Sequence, residues 1–214
     1  MAKTSMPLKS SIICLILLGI VYWLSYYYFD QSIAYFFHDN VPITSWLYHY
    51  SKLIDNILSP NHWALIMVII FIYCAWLYCG NQPKEKKLPW LIAALSIFLA
   101  LAIGAILKYT LARYRPDMLF NHNLYGFHLF STKHSLNSTP SGHALANFAG
   151  LISLAYTTRK SSLMTAAILL AILVCLTRLI VCEHYLSDII FGAYIGIFSF
   201  LWVKWLILSL AKLK

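Results

Sequence analysis

Residues 88–107 read LPWLIAALSIFLALAIGAIL, twenty positions without a charge, and the next residue is Lys108. In helical form, at ~1.5 Å of rise per residue, about 20 apolar residues cross the hydrocarbon core of a bilayer. This stretch is therefore a membrane-crossing helix whose polar end begins at Lys108. The rest of the chain agrees. Hydrophobic side chains make up 61% of its 214 residues and charged ones 11%, too apolar a balance for a water-soluble domain.

Outward from this helix, five more segments meet the same test: residues 10–29, 63–79, 142–158, 161–181 and 189–211. Arg178 stands near the end of one, and Lys204 in another can snorkel to the interface. The basic start followed by an apolar run also fits a signal peptide. That run, however, ends in Tyr26, Tyr27, Tyr28 and Phe29 with no small-residue cleavage site, so it is read as a crossing. The expected fold class is all-α: a polytopic membrane protein with six transmembrane helices in a bundle, one domain over residues 1–214.

Cytoplasmic loops are rich in Lys and Arg, which puts the amino terminus with Lys3 and Lys9 inside. Counting crossings from there keeps Lys84, Lys86, Lys87, Arg159, Lys160, Lys212 and Lys214 inside as well, with both termini cytoplasmic. The net charge of +9 is thus largely topological, and without a contiguous soluble basic surface it does not indicate a nucleic-acid partner. All eight histidines and six of the seven acidic residues fall in or beside the outer connections, so chemistry is expected on the outer face. The long connections, 30–62 and 113–140, are both outside, where loops on a rigid scaffold carry function. Trp46, Tyr48, Tyr50 and Trp63 in the first are expected to be interfacial anchors. Cys14, Cys74, Cys79, Cys175 and Cys182 show no paired-ligand spacing and read as small hydrophobes.

Three groups of polar residues stand at the outer helix ends. Lys108 and Arg115 are seven residues apart, about two turns, so a helix continuing that far would put both cations on one face. Lys as a point charge and Arg as a fork can then converge on one anion, although each could simply snorkel. Pro140, Ser141, Gly142 and His143 open the next helix, where free N–H groups and the helix dipole favour phosphate. Ser141 could equally serve only as the cap. Arg178, His184 and Asp188 form the third group. The step of four from His184 to Asp188 lets the carboxylate hold the ring and set its tautomer, whereas the step of six from Arg178 requires a break in the helix near residues 182–187.

In this order K-x6-RP, PSGH and R-x5-H-x3-D resemble the motifs of the type 2 phosphatidic acid phosphatases, the lipid phosphate phosphatases related to vanadium haloperoxidases. Ten positions match at the required spacing, and the one departure is Thr177, where the family usually has Ser. The resemblance implies that His184 attacks phosphorus to form a phosphohistidine, that His143 protonates the departing lipid oxygen and that Asp188 supports His184. It also implies that Lys108, Arg115, Ser141, Gly142 and Arg178 bind the phosphoryl group, a clamp that replaces a metal, so no cofactor is expected. His122, His128 and His134 lack the accompanying carboxylates of a metal site.

The implied activity is hydrolysis of a lipid phosphate or diphosphate at the periplasmic face of a bacterial inner membrane. Family substrates are undecaprenyl diphosphate, lipid A phosphates, phosphatidylglycerophosphate and phosphatidic acid. The connection at 117–139, with Tyr125, Gly126, Phe127 and Lys133, resembles most the bacterial lipid A and undecaprenyl-diphosphate phosphatases. The partners are then a phospholipid or polyprenyl phosphate and the bilayer, while nothing in the sequence specifies an oligomeric state. Two other readings remain open: a lipid-to-lipid phosphotransferase, which release of phosphate without an acceptor separates, and a non-catalytic transporter or scaffold, for which no broken-helix repeat is present.

Overall fold

A computed structural model of the chain describes residues 8–212. Lys3 and Lys214 lie outside the described residues, as does the side chain of Lys9. Nine α-helices follow one another among those residues. They are α1 (Leu8–Leu24), α2 (Asp30–Asn40), α3 (Trp46–Ile57), α4 (Pro60–Cys79), α5 (Lys84–Leu111), α6 (Pro116–His122), α7 (Gly142–Thr158), α8 (Ser161–Ile180) and α9 (Leu186–Lys212). A π-helical turn, Ser25–Phe29, joins α1 to α2 without interrupting the rod.

Among the described residues, five stretches are long and apolar enough to cross a membrane: Ile12–Asn40, Trp46–Cys79, Lys84–Leu111, Ser161–Ile180 and Leu186–Lys212. The helix expected over 142–158 is present as α7, but at 17 residues it is shorter than these. It is also the centre of the bundle. Residues 144–150 of α7 are all buried, packed among α4, α5, α8 and α9. By contrast, Leu15, Ile16, Leu17 and Ile20 of α1 are exposed, an apolar surface suited to lipid.

Between helices in lipid the hydrophobic effect adds little, so association rests on close packing of small residues. Ala93, Ala94 and Ala100 of α5 and Ala144, Ala146 and Ala149 of α7 are fully buried. Gly192 and Gly196 bring α9 against the backbone of α7. A Cβ at Gly192 would stand 2.6 Å from the carbonyl oxygen of Ser141, and one at Gly196 2.6 Å from that of Leu145. This seam fixes the start of α9 beside the start of α7, where the polar residues collect.

Three expectations are corrected here. The connection 30–62 is mostly the helices α2 and α3, two short amphipathic elements whose buried faces include Asp30 and Asp55. Trp63 is no interfacial anchor: it is 2% exposed, lies over Gly150 and donates from Nε1 to Asn147 Oδ1 at 3.0 Å. Trp46 and Tyr50 are exposed as an anchor would be. Of the cysteines, Cys74 and Cys175 are buried, but Cys14 and Cys79 are exposed.

Candidate active site

Lys108 lies in the last turn of α5, which stops at Leu111 because Ala112 takes a left-handed conformation and closes the helix onto the Lys108 carbonyl. Arg115 is extended and caps α6, as a residue before proline prefers to be. The two cations therefore do not share a helix face, as the spacing suggested. They converge by another route. Lys108 Nζ donates to the carbonyl of Asn137 at 2.7 Å, and Arg115 Nη2 approaches the same oxygen at 3.5 Å.

Ser141 does cap α7, its hydroxyl accepting from the Ala144 N–H. Gly142 packs beside Pro60 and Lys108: a Cβ there would lie 3.3 Å from Pro60 Cγ and in ordinary contact, 3.6 Å, with Lys108 Cε. His143, in the first turn of α7, places Nε2 3.1 Å from the carbonyl of Asp55. A carbonyl only accepts, so Nε2 carries hydrogen in that contact.

At the far end of α8, Arg178 pairs through Nη1 with the Asp55 carboxylate, whose other oxygen accepts from Thr177 Oγ1 at 2.6 Å. The hydroxyl at the family's Ser position thus orients the carboxylate that orients Arg178. The helix breaks after Ile180, as the six-residue step required, and Cys182 takes a positive φ of 52°. Glu183 then folds its carboxylate back. Oε2 accepts from Arg115 Nη1 and lies 3.5 Å from Arg178 Nη2, while Oε1 accepts from Lys52 Nζ at 2.9 Å. Burial alone would raise this carboxyl, but the hydrogen bond from Lys52 and the charges of Arg178 and Arg115 hold it down at about 2.

His184 is 3% exposed. Burial, with Arg115, Lys108 and Arg178 nearby, pushes its imidazole well below the ordinary value against the pull of Asp188, so the ring is neutral near pH 7. Its Nδ1 lies 3.8 Å from Asp188 Oδ2 and has no hydrogen-bond partner among the described residues. The expected His184 to Asp188 hydrogen bond is therefore not formed. His184 precedes α9, so the pair does not sit on one helix face, and the Asp188 oxygens are already engaged. They accept from Ser138 Oγ at 2.5 Å, the Tyr185 N–H at 3.0 Å, Arg113 Nη1 at 2.6 Å and Thr139 Oγ1.

The sequence reading missed the group that organises this end of the bundle. Arg113 is fully buried between two carboxylates, Nη2 on Asp30 at 2.8 Å and Nη1 on Asp188 at 2.6 Å. Asp30 also accepts the Ser187 N–H at 2.9 Å, in the first turn of α9. Tyr125 accepts from Arg113 and donates its own hydroxyl hydrogen to the carbonyl of Tyr26 in the π turn, at 2.6 Å. Asp55, Glu183 and Lys52 were missed too. The one available signal was the crowding of acidic residues on the outer side.

Asp55 holds His143 and Arg178, Glu183 joins Arg178 to Arg115, and His184 follows Glu183 directly. All three motif groups therefore meet in one cluster. His122 and His128 are exposed, His134 lines a cavity beside Arg115 and Glu183, and among the described residues no group of three or more His, Cys, Asp or Glu is placed to hold a metal ion.

Residues 89–211 match the model of the PAP2 superfamily. The chain belongs to this family. The matched span takes in all ten motif positions, while Asp30, Lys52 and Asp55 lie ahead of it. Among curated relatives, a lipid A 1-phosphatase of Rhizobium etli is 32% identical over 126 residues, covering 56% of this chain and 53% of that one. An undecaprenyl-diphosphatase of Sulfolobus acidocaldarius is 33% identical over 113 residues, covering 53% and 52%. The matched stretch thus spans about half the length of these curated relatives. The crystal structure of a transmembrane PAP2 type phosphatidylglycerolphosphate phosphatase from Bacillus subtilis shares the fold, with a TM-score of 0.65 at 19% identity over 93% of this chain and 96% of that one.

Proposed function

We propose that this PAP2 protein is a membrane lipid phosphatase that works through a phosphohistidine at the non-cytoplasmic face. The observation that carries the reading is the cluster itself: a buried, neutral imidazole backed by a carboxylate, with Lys108, Arg115 and Arg178 grouped around the same helix ends. Polar groups at membrane depth are costly and are kept where they do work.

Nδ1 of His184 faces Asp188, which leaves Nε2 to attack phosphorus. A phosphorus–nitrogen bond forms as the bond to the lipid oxygen breaks, and His143 delivers a proton to that oxygen. Water then attacks the phosphohistidine, gives a proton back to His143, and releases inorganic phosphate with His184 restored. The three cations and the N–H groups at the start of α7 stabilise the charge spread over the equatorial oxygens during both steps. Asp188 favours the imidazolium character that His184 gains as it bonds to phosphorus.

The sixth crossing is α7, short because it is sheltered inside the bundle, and both termini are cytoplasmic. The site then lies at headgroup depth on the periplasmic side of a bacterial inner membrane, where an amphiphilic substrate reaches it by diffusing in the leaflet. Lipid A phosphate and undecaprenyl diphosphate head the substrate list, given the relatives named above, followed by phosphatidylglycerophosphate and phosphatidic acid.

Purified protein in detergent should release inorganic phosphate from at least one of these four lipids with no second lipid as acceptor. His184→Ala should lower that release by at least about 1,000-fold while the protein still folds, and Asp188→Asn should lower kcat more than it raises KM. Wild-type release by His184→Ala would remove the nucleophile, and with it the mechanism.

A further inference from the structure

Two of the three clamp cations already hold a carboxylate of the protein itself. Glu183 Oε2 accepts from Arg115 Nη1 and stands 3.5 Å from Arg178 Nη2. Carboxylate and phosphoryl oxygens compete for the same guanidinium N–H groups. A phosphoryl group that takes those same N–H groups of both arginines displaces this oxygen.

We propose that Glu183 is an internal anion that competes with phosphate for Arg115 and Arg178 and so sets how tightly the site holds its substrate and product. The inference rests on the phosphatase reading above and adds to it a residue that determines affinity.

The surroundings of Glu183 suit a competitor better than a strut. Its other oxygen, Oε1, is held by Lys52 at 2.9 Å, and both side chains of that pair are partly exposed, 36% for Lys52 and 25% for Glu183. Arg115 and Glu183 also line an open cavity of about 480 Å³ together with His38, Tyr48, Asp117 and His134. The carboxylate thus has a second cation to keep and open volume to enter when it leaves the arginines. Arg115, for its part, does not depend on the carboxylate for its direction. It also reaches the backbone carbonyls of Glu183 at 3.4 Å and Asn137 at 3.5 Å.

A competitor here has a use. Three cations that bind phosphate and transition state equally would retain the product, and uniform binding of that kind does not raise kcat. A carboxylate that returns to the arginines once the phosphohistidine is hydrolysed speeds phosphate on its way.

The strut and the competitor predict opposite signs. The test is the affinity of the purified full-length chain for inorganic phosphate, by calorimetry and as product inhibition, in wild type, E183Q, E183A and K52M. Gln keeps the shape and removes the charge, so E183Q should bind phosphate about tenfold more tightly, the scale of one charge-assisted hydrogen bond, with a lower KM. K52M, which leaves the carboxylate to the arginines alone, should bind phosphate more weakly, and that loss should vanish when K52M is combined with E183Q. Weaker or equal phosphate binding by E183Q overturns the proposal, as does the absence of phosphate binding in every form. If E183Q does not fold, E183A takes its place with the same expected sign, and unchanged binding by K52M overturns the proposal by itself. A wild-type chain that releases no phosphate from any lipid defeats the phosphatase reading instead, and calorimetry with inorganic phosphate still decides the role of Glu183.

Discussion

The hydroxyl of Thr177 sits between the backbone of α8 and a buried carboxylate. It contacts the carbonyl of Val174 at 2.7 Å and Asp55 Oδ1 at 2.6 Å, and Asp55 in turn pairs with Arg178. A hydroxyl has one hydrogen, so the backbone contact and the carboxylate contact share it. Thr177→Val keeps the shape and removes that donor, leaving a carboxylate that is 3% exposed one partner short, a change worth ~1–3 kcal/mol. We expect Thr177→Val to lower kcat/KM about tenfold, through a less well-aimed Arg178, and Thr177→Ser to match wild type in the same assay. Equal activity in Thr177→Val would mean that Asp55 aims Arg178 without help. The hydroxyl was legible in the sequence as a departure from the family's Ser, but its partner was not. Thr177 and Asp55 are 122 residues apart, and no periodicity links a carboxylate on one helix to a guanidinium on another. The same holds for Arg113. It lies two residues from a motif arginine, and only the fold reveals that it bridges Asp30 and Asp188.

The helices were readable to the extent that hydropathy governs them. The bounds of α7 match the expected 142–158, and the break before α9 follows from the impossible six-residue step. Helices α2 and α3 were read as loop because they are short, polar on one side and lack a crossing-length apolar run. Their role is to carry Asp30 and Asp55 inward, which composition does not encode. The seam between α7 and α9 has its own test. A side chain at Gly192 meets the Ser141 carbonyl, and the Ser141 N–H donates to the Asp188 carbonyl at 3.0 Å, so a forced shift there moves both halves of the site. Gly192→Ala should destabilise the protein by ~1–3 kcal/mol, read as a lower Tm in detergent, and should reduce phosphate release more than it reduces lipid binding. Gly19→Ala is the control, since nothing lies within 4 Å of a Cβ there. If both variants behave like wild type, the close approach of α9 to α7 is not what sets the site.

At the scale of the molecule, charge and chemistry separate along the bundle axis. Lys84, Lys86 and Lys87 open α5, a helix of 28 residues and so ~40 Å long, and Lys108 stands near its other end. Arg159 and Lys160 form the turn between α7 and α8, again at the end away from Ser141 and Arg178. The proposed orientation rests on the rule that positive loops stay in the cytoplasm. Reporter fusions should show this directly. A reporter active only in the cytoplasm should work at either terminus, and one active only outside should work in the turn at Ser131. A terminus active outside would reverse the orientation and put the site on the wrong face for a periplasmic lipid.

Arg113 lies within the span that matches the family, and Asp30 lies ahead of it. The unit that inheritance marks out is thus smaller than the unit that electrostatics requires. Cut down to its signature, the protein would lose both the Asp30 carboxylate and the Tyr26 ring that cover Arg113, leaving the guanidinium with half its counter-charge. The first two helices are accordingly no mere membrane anchor: they supply the carboxylate that lets the signature residues stay buried and charged.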